Sequence, residues 1–92
     1  MLHHIIVKWT GETDKAALAL RTRQLYKVAN EIDGINKVEI KENVTPRKNR
    51  YDIMIVLDMD DNALSHWDES ELHKRWKKEF SEMIEKKCIF DC

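Results

Sequence analysis

Four histidines, His3, His4, His66 and His73, supply most of the chemistry in this sequence. Imidazole titrates near neutral pH and holds both protonation states there, which suits general acid–base work. His4 lies in Met1-Leu-His-His-Ile-Ile-Val-Lys-Trp9, a run that reads as a strand. Alternation puts Leu2, His4 and Ile6 on one face, and Ile5, Val7 and Trp9 on the other. His73 falls on an apolar helical stripe, between Phe80 and Ile84 on the wheel. Two histidines on apolar faces are candidates for an acid–base pair or for a buried pair held by hydrogen bonds. His3 shares its face with Ile5 and reads as structural, and His66 as a solvated side chain. No metal site is expected. Two histidines make a poor ligand set, with Asp52 and Asp91 the carboxylates available to complete one. Cys88 and Cys92 on one strand would stand about 13 Å apart, too far for a disulfide with each other. They read as free thiols.

The elements that position these residues are legible in order. Strand one ends at Thr10-Gly11, and Thr13 or Asp14 caps a helix running from Lys15 to Ile32. Leu18, Leu25, Val28, Ala29 and Ile32 form its apolar face, with Arg21 snorkelling inside that arc. Gly34 supplies a left-handed position after the helix. Ile35 to Val44 alternates as a half-buried strand. Arg47-Lys48-Asn49-Arg50 reads as a solvated hairpin tip. Tyr51 to Asp58 is a third strand, apolar on both faces. A short helix ends at Trp67, and Ser70 caps a longer one carrying Leu72, Trp76, Phe80, Met83 and Ile84. Lys87 to Cys92 is the last strand. The order β-α-β-β-α-β is the ferredoxin-like, α+β arrangement: one four-stranded antiparallel sheet with helices on one face. Strands one and three are apolar on both faces, so the uncovered face predicts a homodimer with sheets packed face to face.

The bulk numbers set outer limits. Ninety-two residues make a single domain spanning 1–92. Sixteen basic and seventeen acidic residues leave a formal charge of −1, so nothing favours nucleic acid or an anionic membrane. No apolar run approaches the ~20 residues of a membrane span. The N-terminus lacks the pattern of a secretory signal, and the chain is expected to be cytoplasmic. No cofactor is expected, because there is no Gly-rich phosphate loop, no Cys-x-x-Cys and no Ser/His/Asp signature.

Several segments, taken together and in order, resemble the stress-responsive A/B barrel (Dabb) family. They are the opening Met-Leu-His-His-Ile-Ile-Val-Lys-Trp, Asp33-Gly34-Ile35, Asn43-Val-Thr-Pro-Arg, Tyr51-Asp52, Trp67-Asp-Glu-Ser-Glu-Leu-His73 and Phe90-Asp91. The resemblance covers essentially the whole chain. It implies a dimeric α+β barrel, most of whose members have no assigned reaction. One plant branch consists of polyketide cyclases with a strand-one histidine and a Tyr-x-x-His-Pro-x-His motif around a cavity. Carried over, His4 matches the first histidine and His73 the last, while Trp67 stands where the Tyr would be and Ser70-Glu71 replace His-Pro. Indole donates a hydrogen bond but cannot exchange a proton as a phenol can. The resemblance thus implies a small apolar ligand bound between sheet and helices, with Ile6, Trp67, Trp76 and Phe80 as walls. The alternative it implies is an acid–base enzyme, an aldol-type cyclase or isomerase, using His4 and His73.

Overall fold

The computed structural model describes residues 1–92. The strands are β1 (Leu2–Trp9), β2 (Ile35–Glu42), β3 (Ile53–Met59) and β4 (Ile84–Asp91). The helices are α1 (Lys15–Tyr26), α2 (Leu64–Glu69) and α3 (Glu71–Phe80). All strand pairs are antiparallel, in the order β2-β3-β1-β4. The two strands that are apolar on both faces, β1 and β3, are therefore the two central ones. The helices cover one side of this ferredoxin-like, α+β sheet.

Local chemistry explains the boundaries. Asp14 Oδ1 accepts the Ala17 N–H at 3.1 Å and starts α1. Ser70 Oγ accepts the His73 N–H at 3.1 Å and starts α3. Gly34 sits at φ +86°, and a Cβ there would lie 2.5 Å from the Ala63 Cβ, so no other residue fits without a shift. Helix one stops earlier than expected, at Tyr26, and a 3-10 turn over Ala29–Glu31 replaces its last turns. Val28 leaves helical geometry at φ −97°, ψ 8° and is exposed rather than buried. Strand two ends at Glu42, leaving Val44 outside it and exposed. Met83 and Ile84 belong to the turn after α3 and to β4 rather than to the helix.

The core lies between sheet and helices and is dominated by rings. Trp9, Tyr26, Trp67, Trp76 and Phe80 are each 2% exposed or less. Trp76 and Phe80 stack at 4.7 Å, and Trp9 meets both within 6.3 Å. Arg21 lies over the Phe80 ring at 4.8 Å, its stem on the core edge and its charge against the π-face.

One expectation is reversed: that Leu2, His4 and Ile6 lie under the helices and Ile5, Val7 and Trp9 in the dimer interior. His3, Ile5, Val7 and Trp9 face the helices, while Leu2, His4 and Ile6 face the open side of the sheet. Alternation separates the two sets but cannot say which lies under the helices when both are apolar. The structure settles it by size, since Trp9 needs the deep cover that only α3 provides.

Candidate functional site

His3 is the histidine on the helix side. It lies opposite Asp91 in the β1–β4 register, and its Nδ1 is 2.5 Å from Asp91 Oδ1. The His3 side chain is 7% exposed and the Asp91 side chain 39%, so the pair sits at the sheet edge with the ring inside and the carboxylate wet. An ionised Asp91 accepts the Nδ1–H and leaves the lone pair on Nε2, the tautomer a general base needs. Nε2 makes no hydrogen bond within the chain. The sequence signal for this pair was Trp9, because the strand's largest side chain marks the helix face and His3 shares it.

His73 stands in the first turn of α3, partly buried. Its Nδ1–H donates to the Asp68 carbonyl at 3.1 Å, and its ring lies 4.9 Å from Trp67. Trp67 is sealed between His73 and Tyr26, whose ring is 5.8 Å away. Tyr26 also meets Trp76, edge-on at 5.4 Å. The Tyr26 hydroxyl is buried without a hydrogen-bond partner. Burial pushes that phenol well above its ordinary pKa.

The expected pairing of His4 with His73 is not formed. His4 lies on the open face, where its Nδ1–H donates to the Phe90 carbonyl at 3.0 Å and its ring meets Phe90 at 6.1 Å. The sheet stands between the two imidazoles. Ile6 is likewise on the open face and lines a hollow with Tyr51 and Met54. Trp67, Trp76 and Phe80 are on the helix side; Trp76 stacks on Phe80, which borders a small hollow with Arg21, Arg75 and Glu79. None of the five main cavities touches His3, Trp67, His73 or Trp76. On the helix side Tyr26 borders a hollow of about 480 Å³ between α1 and β2, while Trp67 is packed between Tyr26 and His73. His66 is exposed, with Nδ1 donating to the Asp33 carbonyl.

The open face carries Leu2, His4 and Ile6 from β1, Met54 and Val56 from β3, and Phe90 opposite His4 on β4. Its β2 margin is charged. Lys37 and Glu39 pair at 2.9 Å, and that hydrogen bond, with the charge behind it, raises the Lys37 ammonium and lowers the Glu39 carboxyl. No helix is long and apolar enough to cross a membrane.

Against this geometry, the model of the family described as "Stress Responsive A/B Barrel Domain" (Dabb) matches residues 2–92. The chain belongs to the Dabb family. No curated protein matches it. Solved structures share its fold at low identity. A dimeric ferredoxin-like protein of unknown function from Bacteroides fragilis is 17% identical at TM-score 0.84, over 99% of this chain and 92% of that one. A Dabb family protein from Mesorhizobium loti is 15% identical at TM-score 0.71, over 99% and 92%. A hydroxynitrile lyase from Passiflora edulis is 11% identical at TM-score 0.73, over 97% and 87%.

Proposed function

We propose that this Dabb chain works as a homodimer, with two sheets packed open face to open face. Each subunit would bind a small, mainly apolar organic molecule on the helix side of its sheet. The dimer follows from the open face, whose apolar side chains a monomer would leave in water. The relative from Bacteroides fragilis is described as dimeric. Two exposed free thiols, Cys88 and Cys92, fit a reducing compartment, the cytoplasm.

The observation that carries ligand binding is the Tyr26 hydroxyl, buried and unpartnered. Leaving such a group unsatisfied costs about 1–3 kcal/mol. A ligand with an apolar body and one hydrogen-bonding group would recover that cost while lying against Trp67, Trp76 and Phe80. Tyr26 borders a hollow of about 480 Å³ with Leu20, Val38 and Ile40, which gives such a molecule a way in, and Trp67 packs on the far side of the Tyr26 ring. Titration of tryptophan fluorescence and thermal shift with a panel of phenols and aromatic acids tests this. The expected result is a saturable response in the wild type that is weakened about tenfold in Tyr26→Phe, the loss of one hydrogen bond. Silence across the panel, or an equal response from the variant, would overturn it.

A second reading, an acid–base enzyme, is favoured by the His3–Asp91 pair. His4 leaves that reading for the open face, and His3, on the same side of the sheet as His73, takes its place. In an aldol-type cyclisation or isomerisation, Nε2 of His3 would take a proton α to a carbonyl while Asp91 steadies the imidazolium. The Passiflora edulis relative, a hydroxynitrile lyase, shows that enzymes use this fold. Turnover that survives His3→Ala and His73→Ala alike would end this reading.

A further inference from the structure

The loop joining β2 to β3 is not a free tip. The Asn43 N–H donates to the Asp52 carbonyl at 2.9 Å, closing the loop at its base. The Asp52 N–H donates to the Val7 carbonyl at 2.8 Å, and Asp52 Oδ2 accepts the Trp9 N–H at 2.8 Å. These bonds fasten the loop against the end of β1. Lys8 from β1 and Lys15 from the first turn of α1 are thereby brought beside Arg47, Lys48 and Arg50. The five cations and Asp52 line one hollow of about 340 Å³ in which Pro46 is the one apolar residue of the wall.

The charges in this hollow are not balanced from within. Five cations against one carboxylate leave a surplus of four, in a chain whose net charge is −1. Asp52 is already committed, with Lys15 Nζ 3.0 Å from Oδ1 and the Trp9 N–H on Oδ2. Lys8 Nζ donates to the Lys48 carbonyl at 2.9 Å and lies 3.8 Å from Glu85. Arg47 and Lys48 have no carboxylate within ion-pair distance, and Arg50 reaches only the side-chain amide of Asn49. Elsewhere on the surface Arg23, Lys37 and Arg75 each sit against an acid. The Arg50 N–H bonds the Arg47 carbonyl at 3.2 Å, closing a turn whose two arginines both line the hollow.

We propose that this hollow binds a small, wholly polar phosphorylated molecule carrying at least two phosphate charges. Guanidinium forks bond phosphate oxygens in pairs, and lysine ammonium groups complete the neutralisation. A single proline ring offers too little apolar surface to hold a ligand with a greasy body at this point. Nucleic acid is disfavoured, because the surplus is confined to one hollow and no row of exposed aromatic rings extends it.

Calorimetric titration of the full chain at low salt tests the assignment, with inorganic pyrophosphate, citrate and a single-stranded RNA oligonucleotide as probes. Pyrophosphate should bind once per chain, more tightly than citrate. Binding should fall about tenfold or more in Arg47→Ala/Arg50→Ala, two charge-assisted contacts fewer, with the thermal melt unchanged because both side chains are exposed. The single variant Lys48→Ala should show a smaller loss. No saturable heat with pyrophosphate, equal binding by the double variant, citrate at least as tight as pyrophosphate, or RNA tighter than either would each overturn it. None of these variants touches the helix side of the sheet, so the outcome is independent of ligand binding at Tyr26.

Discussion

The two faces of one sheet make the instructive comparison. Both are apolar along β1 and β3, and the residues of the two sets alternate one by one along the same strands. The helix-side face carries the large rings and contains the polar pair His3–Asp91. The open face carries smaller side chains, Leu2, Ile6, Met54 and Val56, with His4 against Phe90 at one end. The difference lies in what completes each face. One is finished within the chain by α1, α2 and α3, and the other is covered only in the proposed dimer, by a second chain. Stability should therefore respond in two ways: core changes act at every protein concentration, and open-face changes act through association.

The largest effect expected is at the core. Trp67→Ala removes a fully buried ring held between Tyr26 and His73, and should cost about 3–5 kcal/mol in urea unfolding. Phe90→Ala on the open face should change little at high dilution and weaken stability only where the wild type is associated. Equal losses at all concentrations from both would erase the distinction between the faces.

Asp91→Asn comes next. It replaces the charged acceptor of the His3 Nδ1–H by a neutral one that still accepts, and should cost about 1 kcal/mol, the difference between a charged and a neutral hydrogen bond. The nitrogen NMR shifts of the His3 ring should show the Nδ1–H tautomer in the wild type and a mixture in the variant. An unchanged tautomer would mean that Asp91 does not set the ring.

A smaller effect is expected from pH. The Tyr26 phenol is held above its ordinary pKa of 10.0 by burial. The unfolded chain therefore loses that proton before the folded one does. The stability tied to the neutral phenol is whole below pH 10 and falls as pH rises beyond it. Thermal melts between pH 9 and 11 should decline more steeply for the wild type than for Tyr26→Phe. Parallel declines would place the phenol in contact with water.

Most of the fold was legible in the sequence, because the signals were local. Asp14 and Ser70 announced their helices by capping chemistry, Gly34 its left-handed turn, and the period-2 runs their strands. The strands apolar on both faces are the two central ones of the sheet. Helix one was overrun because Val28, Ala29 and Ile32 keep helical spacing, while the chain after Tyr26 has already left the helix. The site was less legible because it depends on facing, which is a tertiary choice. With His3 and His4 adjacent, a shift of one residue exchanges the two sides of the sheet. Trp9 carried the information, and the match of His4 to the family's strand-one histidine overrode it. Arg47, Lys48 and Arg50 are exposed as the solvated reading of the loop expects, but Lys8 and Lys15 are remote in sequence and their approach to the loop, fastened through Asp52, was not legible.

Sedimentation equilibrium of the wild type and of Val56→Asp, at micromolar concentration, is the most direct test of the two-faced sheet. The wild type should weigh about twice its 11.0 kDa chain, and Val56→Asp should weigh one chain while keeping the near-ultraviolet circular dichroism of the packed rings. A clean 11.0 kDa species for the wild type, or a dimer that Val56→Asp leaves intact, would contradict it.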